Sequence, residues 1–303
     1  MKLATPTAIL LITLFCSKTF SQTTTTFDIS GGYCFPLAQS TEAVVLSQAQ
    51  STTPPHYYTT YASLKRMSYG QGGCLAVNLN WFSKKNIGFG VKLNLLFGSA
   101  FKHSTTLATA TTGTEYYTFS DKSFSFQFIP HICFRHDFKK VSPVLEAGMI
   151  VGMVQINQNY TITSTFYNEQ IQTKVRDYGG VMLGFYSSLG LCFNVSEVVK
   201  ISLALNCIAG SYSPTKWERT SFFVDGFNKM DALSISQLKG EYVKELDLQA
   251  SQSSQQPRQS LKYSAAMSNI GITAGICFKL NKRNKKTVKS NSLDMPPPSD
   301  KNF

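Results

Sequence analysis

The sequence has no apolar run that approaches the roughly 20 residues of a membrane-spanning helix, apart from a shorter run near its start. This absence argues against a helical membrane protein. Charged residues are also few, at 15% of the chain, whereas hydrophobic residues make up 43%. Because the apolar residues are spread over alternating positions instead of runs, the composition favours strands with one apolar face.

Motifs for metal binding and for catalysis are absent as well. The seven cysteines form no CxxC pair and no histidine lies at ligand spacing from them, so the sequence predicts no zinc site and no cofactor. No serine nucleophile has a histidine and an acid at a recognisable spacing, which favours a non-enzymatic protein. Cys34 and Cys74 lie near the same end of two predicted strands. We expect packed thiols there, with a cross-strand disulfide in an oxidising compartment as the alternative.

The chain divides into three parts. Residues 1–22 combine a charged start, an apolar core and a small-residue exit, which predicts a cleaved secretory signal peptide. Lipidation at Cys16 is the alternative, but a bulky residue precedes it. Residues 23–280 carry the strand pattern, and residues 281–303 form a basic, proline-containing tail that is predicted to be disordered. The chain has a net charge of +12, and a cluster of its basic residues, Lys282, Arg283, Lys285, Lys286 and Lys289, lies in that exported tail without interleaved aromatic residues, so no nucleic-acid partner is expected.

The last regular stretch, Asn269–Leu280, shows the strand pattern most clearly. Its even positions are apolar and its odd positions are small or polar, a period of two that predicts a strand with one apolar face. Earlier segments repeat the pattern at about the 9 to 11 residues that a tilted strand needs to cross a bilayer. The eight predicted strands are Phe27–Phe35, Gly73–Phe82, Ile87–Gly98, Ser123–Arg135, Pro143–Val154, Tyr178–Phe193, Val199–Tyr212 and Asn269–Leu280.

The connections between these strands alternate between long and short. This places every long loop at one end of an antiparallel barrel, as in outer-membrane barrels. A soluble lipocalin-like barrel is the opposite interpretation, but its water-facing side would carry many charges. We therefore predict an all-β fold, an eight-stranded antiparallel up-and-down transmembrane β-barrel with long external loops. Ten strands are the alternative, if the segments beside Phe166 and Phe222 pair, and a short helix is predicted within residues 232–248.

Three features resemble the small outer-membrane barrels of Gram-negative bacteria: the opening segment Phe27–Tyr33, the eight-strand plan and the closing segment Gly275–Leu280. The chain is similar in particular to the Bacteroidetes-type outer membrane protein β-barrel domain, or porin family, akin to the OmpX and OmpA barrels. The resemblance implies a place in the bacterial outer membrane, contact with its lipid, a periplasmic tail and insertion by the barrel-assembly machinery. Family members often end in an aromatic residue that resembles the assembly signal, and Phe278 takes that place here, although 23 residues follow Leu280.

Ionisable side chains on the small-residue face are the first candidate site. Buried charges are costly unless they are paired, and the predicted topology pairs Arg135 with Glu146 and Asp28 with Lys279. We interpret the cluster as a polar plug, with ion or proton gating as the alternative and His131 with Glu146 as an acid–base pair as a third. Its members are Asp28, Lys92, His131, Arg135, Glu146, Lys200 and Lys279.

Aromatic residues on the long loops are the second candidate site, for recognition of a surface ligand or protein. They are Tyr57, Tyr58, Tyr61, Trp217, Phe222 and Phe223. The alternative is that they pack on each other above the barrel. The expected function is a structural or surface-interaction role. A narrow porin-like channel for ions or small solutes is the main alternative, followed by a lipid-modifying enzyme and a soluble binder.

Overall fold

The computed structural model describes residues 24–37, 68–83, 86–109, 113–165, 168–246 and 252–280. The predicted signal peptide and the predicted tail lie outside these residues. The described helices are a 3-10 turn, Met230–Ala232, and a one-turn helix α1, Ile235–Leu238. The helix predicted over residues 232–248 is wrong over most of its length, because a strand begins directly after α1. No helix in the described part of the chain is long and apolar enough to cross a membrane.

Fifteen strands form one sheet, which is almost entirely antiparallel. Eight strands were predicted, so the strand count is wrong, although four predicted strands match the structure to within one residue. The strands are β1 (Thr24–Pro36), β2 (Gly72–Phe82), β3 (Ile87–Gly98), β4 (Phe101–Thr109), β5 (Gly113–Arg135), β6 (Val141–Ser164), β7 (Glu169–Tyr178), β8 (Met182–Asn194), β9 (Val199–Tyr212), β10 (Lys216–Val224), β11 (Phe227–Asn228), β12 (Lys239–Val243), β13 (Arg258–Leu261), β14 (Ala265–Ala266) and β15 (Asn269–Leu280).

The differences have local causes. The predicted strand Tyr178–Phe193 is broken between β7 and β8, because Gly179 and Gly180 adopt positive φ angles of 74° and 73°, a conformation that strands do not contain. β5 and β6 have 23 and 24 residues, about twice the predicted length. Their outer halves are polar and rich in threonine, and the alternation of apolar residues stops before the strands do.

Eight of the strands pair in a circuit. β1 pairs with β2, β2 with β3, β3 with β5 and β5 with β6. β6 pairs with β8, β8 with β9, β9 with β15, and β15 pairs with β1 again. Each strand of the circuit contains all or most of one of the eight predicted segments. The pattern of period two therefore identified the strands that pair in the circuit.

The remaining pairings extend the sheet beyond one end of the circuit. The outer halves of β5 and β6 continue there, β4 pairs with β5, and β7, β10, β12 and β13 follow β6 in that order. We call these strands and outer halves the extension sheet. β7 and β10 pair as the ten-strand alternative supposed, but they lie beside the circuit and not within it.

Burial alternates along the circuit strands as predicted, and the face that is exposed is the apolar one, unlike in most soluble proteins. The apolar face is exposed: Phe185 is 68% exposed, Met153 65% and Leu189 60%. The opposite face is buried and largely polar, with Gln127 fully buried and Glu146 only 6% exposed. The circuit therefore encloses polar side chains and presents apolar ones outward, the reverse of the usual arrangement in a soluble protein.

Glycines with positive φ provide a first testable prediction. Gly226 (φ 82°) lies in the turn after β10, and an added Cβ atom would meet nothing within 4 Å. At Gly180 the added Cβ would lie 2.2 Å from the carbonyl oxygen of Ser213. We expect Gly226→Ala to cost only the left-handed backbone strain of about 1–2 kcal/mol. Gly180→Ala should lower the free energy of unfolding, measured in guanidinium, by clearly more, and equal losses would contradict the packing at Gly180.

Candidate functional site

A hydrogen-bonded cluster around Glu146 lies inside the circuit. The Lys92 Nζ atom lies 2.8 Å from Glu146 Oε2, and the Asn78 side chain donates to Glu146 Oε1 over 2.8 Å. The Tyr186 hydroxyl donates to Glu146 Oε2 over 2.8 Å, and Lys92 also donates to Tyr186. Lys92 additionally lies over the Tyr186 ring, 4.4 Å from its centroid. The carboxylate thus accepts three hydrogen bonds, two of which come from neutral groups.

His131 lies beside this cluster but does not form a close pair with Glu146. Its Nε2 atom lies 2.8 Å from Asn80 Oδ1 and 3.7 Å from Glu146 Oε1, and its Nδ1 atom lies 3.1 Å from the Ile129 carbonyl oxygen. The ring is 2% exposed. Both ring nitrogens therefore have close partners, and the side chain is closed off from solvent, which is the arrangement of a hydrogen-bonded interior histidine.

The predicted ion pairs are replaced by others. Arg135 does not pair with Glu146; it lies 3.2 Å from Asp137, a residue of the turn after β5. Lys200 Nζ lies 3.0 Å from the same Asp137, whose other partner, the Ser142 hydroxyl, donates over 2.6 Å. Partial burial alone would raise the pKa of Asp137, but these hydrogen bonds and positive charges lower it overall. Asp137 was missed because turn residues were not considered as partners.

Asp28 and Lys279 are also not an ion pair in the described structure. Asp28 accepts a hydrogen bond from the Ser202 hydroxyl over 3.0 Å, and Lys279 lies in β15 opposite Thr26. Of the seven predicted residues, the structure thus brings Lys92, His131 and Glu146 together around one carboxylate. Arg135 and Lys200 meet at the turns, and Asp28 and Lys279 lie apart. Asn78 and Tyr186 belong to the centre and were missed, although both follow the inward alternation.

Small cavities lie in the interior. One beside Ile129 and Tyr186 has a volume of about 20 Å³. A larger one has a volume of about 50 Å³, and Asp28, Lys92, Arg135 and Glu146 are among its lining residues. That volume holds a few water molecules, since one needs about 10–15 Å³ by this measure. Towards the extension sheet the interior is filled by apolar side chains, which we call the apolar plug: Leu96, Ile129, Ile150, Val154, Ile156, Met182, Ile208, Tyr212, Ala265 and Met267, with Tyr69. Ala265 belongs to β14, and Met267 and Tyr69 come from connecting segments.

The six cysteines among the described residues are free thiols. Cys34 and Cys74 lie on the same inward face of paired strands, and their side chains are hydrogen-bonded to each other. Cys34 lies opposite Gly72 and Cys74 opposite Gly32, so the two positions are diagonal and not directly opposite. The structure has packed thiols at both positions, and the cross-strand disulfide, which was the alternative, is not formed.

The predicted recognition residues do not form one surface. Tyr57, Tyr58 and Tyr61 lie outside the described residues. Trp217, Phe222 and Phe223 lie on strand β10 of the extension sheet, not on a loop. Register places Trp217 opposite the buried Asp177 and Phe222 opposite the buried Thr173. Phe223 lies opposite the exposed Gln172, on the other face.

Phe278, the predicted assembly signal, lies near the end of β15. Its ring stacks on that of Phe27 in the neighbouring strand, with centroids 6.5 Å apart. This pair lies where the last circuit strand meets the first. The position is consistent with a residue that closes the circuit, while its role as a signal stays a prediction.

A buried carboxyl with two tyrosines ties the extension sheet to the apolar plug. Asp177 on β7 is fully buried, and it accepts hydrogen bonds from Tyr242 over 3.1 Å and from Tyr263 over 2.5 Å. The two tyrosine rings contact each other edge to face, with centroids 5.3 Å apart. We call these three residues the tyrosine–aspartate cap. The sequence did not indicate it, because Asp177 lay at the end of a predicted loop, Tyr242 lay within the predicted helix and Tyr263 lay outside every predicted strand.

The cap provides a pH prediction. Burial raises the pKa of Asp177 above its ordinary value of 3.8, and the two tyrosine hydrogen bonds oppose this only in part. A pKa that is higher in the folded state stabilises the fold at low pH, and this contribution is lost as the pH rises through the folded value. We therefore expect hydrogen exchange of the β12 and β13 amides, corrected for intrinsic rates, to show weakening protection as the pH rises above about 4.

Asp177→Asn should remove this pH dependence, because the amide does not ionise. Asp231→Asn is the matched control, since Asp231 is an exposed acid in the segment that precedes β12 and its replacement should leave the profile unchanged. Protection that strengthens as the pH rises, or an identical profile in Asp177→Asn, would contradict the assignment.

Comparison with known proteins does not assign the chain to a family. No protein-family model matches the chain, and no curated protein matches it. Within the described residues, no three His, Cys, Asp or Glu side chains lie close enough together to hold a metal ion. The functional argument therefore depends on the geometry of the chain itself.

Proposed function

We propose that the circuit of eight strands is a closed barrel that spans the outer membrane of a Gram-negative bacterium, with a non-enzymatic, structural or surface-interaction role. The observation that carries this proposal is the reversed burial. Apolar side chains cover the outside of the circuit, and ionised and amide side chains are buried within it. In water this arrangement would expose a continuous apolar surface, which soluble monomers avoid.

Strand dimensions support a membrane span. β2, β3 and β15 have 11, 12 and 12 residues, close to the roughly 9 to 11 residues of a tilted transmembrane strand. A closed circuit leaves no unpaired strand edge, which a lipid environment requires. A lipocalin-like soluble barrel would need the opposite faces, so the burial pattern argues against that alternative.

The two ends of the circuit differ, which supports an orientation. At one end short turns join β2 to β3 and β8 to β9; at the other end the extension sheet and the longer connections follow. Outer-membrane barrels have short turns in the periplasm and longer segments outside the cell. We propose the same orientation here, with the extension sheet outside. Insertion by the barrel-assembly machinery with Phe278 as an internal signal belongs to the same proposal, as does the family resemblance.

The filled interior favours a plugged barrel over a channel. A small eight-stranded barrel is usually filled by side chains. Here the Glu146 cluster crosses the interior between β3, β6 and β8, and the apolar plug lies above it. A lipid-modifying enzyme is also disfavoured, because His131, the candidate acid–base residue, lies inside the circuit and away from the lipid-facing side.

Cell fractionation combined with gel mobility tests the proposed function. The expressed protein should be recovered in the outer-membrane fraction and should change mobility between unboiled and boiled samples, as a closed barrel does. Recovery in the soluble periplasmic fraction with one mobility would overturn the proposal. Planar-bilayer recording of the refolded protein separates plug from channel: no steady openings are expected, and steady unitary openings would show that the plug is wrong.

A further inference from the structure

Two arginines on the extension sheet have no acidic partner. Arg219 on β10 and Arg258 on β13 form no ion pair among the described residues. The other arginine of β7 and β10, Arg176, is paired with Glu218 on the opposite face. Arginine guanidinium groups in partly buried positions usually have an anionic or acceptor partner. Arg219 is partly buried, whereas Arg258 is exposed on the edge strand, so the unpaired Arg219 is the departure that calls for an explanation.

Both arginines lie on the face that continues the interior of the circuit. Arg219 is opposite Val175, whose neighbour on the same face, Asp177, is opposite Trp217. Trp217 is in turn opposite Gly240, and Gly240 is opposite Arg258. The row Asp177, Trp217, Gly240 and Arg258 runs across four adjacent strands. Arg219 lies two residues from Trp217 along β10, so the long side chains of Arg219 and Arg258 can converge beside Trp217.

The surroundings of Arg219 make it energetically unfavourable to bury its charged side chain without a partner. Its Nε atom is buried and has no hydrogen-bond partner within the described structure. Its guanidinium lies 5.2 Å from the centroid of the Phe222 ring, in a cation–π contact. Burial lowers the pKa of Arg219, and the positive charge of Arg258 acts in the same direction. A buried donor without an acceptor is destabilising, because its lost hydration is not replaced, and an anion would supply the acceptor.

We propose that Arg219 and Arg258 bind the phosphate group of a phosphate monoester, with the adjoining part of the ligand against Phe222 and Trp217. Two guanidinium groups offer planar, two-pronged donors that fit phosphate oxygens. A phosphate monoester carries about 1.5 to 2 negative charges at pH 7, which matches two cations without an acid. The aromatic rings supply a flat apolar surface beside them.

The inference deepens the proposed surface-interaction role and depends on it only for the exposure of this face outside the cell. Purified protein in detergent micelles tests binding without reference to location. The chain has two tryptophans, so Trp81→Phe leaves Trp217 as the single fluorescent reporter. Trp217 donates to the Ser260 hydroxyl over 3.4 Å, two residues along β13 from Arg258, so its emission should respond to ligand at this place.

Titration with phenyl phosphate should give a saturable change in Trp217 emission. Arg219→Gln and Arg258→Gln should each weaken binding by at least about tenfold, because each loses a charge-assisted pair. Arg176→Gln is the matched control on the opposite face and should bind as the parent does. Potassium chloride at equal ionic strength should give no saturable change.

Further measurements distinguish the possible sources of the phosphate group and control for misfolding of the variants. Inorganic phosphate tests the oxyanion alone, and nanodiscs containing phosphatidic acid test a lipid headgroup. A response to the lipid that is lost in the glutamine variants would identify the lipid as the source.

Arg219→Lys keeps the charge and should bind with intermediate affinity. Equal affinity in parent and glutamine variants, with the heat-dependent gel shift retained, would overturn the site. Loss of the gel shift in the parent would instead overturn the barrel.

Discussion

Replacing Glu146 with alanine is expected to lower the free energy of unfolding by about 3–5 kcal/mol, the usual cost of removing one partner from a buried ion pair. The carboxylate accepts hydrogen bonds from Lys92, Asn78 and Tyr186, all of which are less than 10% exposed. Its removal leaves the Lys92 charge in the interior without an anion. Equilibrium unfolding of the refolded protein in lipid vesicles, with guanidinium as denaturant, measures the loss.

Two further variants make this result specific. The double variant Lys92→Met with Glu146→Leu removes both charges and fills the space, and it should recover part of the lost stability. Lys174→Ala removes an exposed lysine of the extension sheet and should change stability by no more than about 0.5 kcal/mol. If Glu146→Ala unfolds at the same denaturant concentration as the parent, the cluster does not hold the interior together.

Placing a charge on the outer face is expected to have the second large effect. Leu189 lies near the middle of β8 and is 60% exposed. In a bilayer an arginine there should cost about 2–4 kcal/mol, as charged residues do at the midplane of a membrane barrel. In a soluble protein the same change at so exposed a position should cost almost nothing. The prediction therefore separates the two environments.

Phe227→Arg is the matched control for Leu189→Arg. Phe227 is 70% exposed but lies in β11, outside the circuit, so an arginine there should remain in water and leave stability unchanged. Both variants are measured by unfolding from vesicles. Equal stability of the Leu189→Arg protein and the parent would show that this face does not meet lipid.

The circuit could be predicted because its strands have a single strong signal. In Asn269–Leu280 every second residue is apolar, and β15 occupies those residues in the structure. β3 and β9 also have the predicted bounds. A period of two fixes both the presence of a strand and the face of each side chain, so the inward direction of Lys92 and Glu146 followed directly.

The partners of those side chains could not be derived in the same way. Glu146 on β6 reaches Lys92 on β3, although β5 lies between them. Such a contact depends on the curvature of the circuit, which alternation does not specify. Arg135 meets Asp137 in a turn that carries no strand pattern. The predicted pairs were inferred from the order of residues along two neighbouring strands, and the structure has other ion pairs in their place.

The extension sheet was missed for a different reason. The outer half of β5, Gly113–Lys122, contains polar residues on both faces, so its sequence has the composition of a loop. Its strand form is stabilised by pairing with the preceding strand β4 and with the outer half of β6, which is equally polar. Pairing between strands can thus override weak local preference, and the tyrosine–aspartate cap and the two unpaired arginines became visible only once the strands were placed.

Fluorescence quenching by brominated lipids tests most directly whether the outer face of the circuit meets a bilayer. Trp81 lies on that face of β2, between the inward residues Asn80 and Phe82, and stacks on Phe89 with centroids 6.4 Å apart. Trp217 lies on the extension sheet. In vesicles of lipids brominated near the headgroup end of the acyl chains, a Trp217→Phe protein, which keeps Trp81, should be strongly quenched. A Trp81→Phe protein, which keeps Trp217, should retain its emission. Unquenched Trp81 in protein that stays folded would contradict the membrane-spanning barrel.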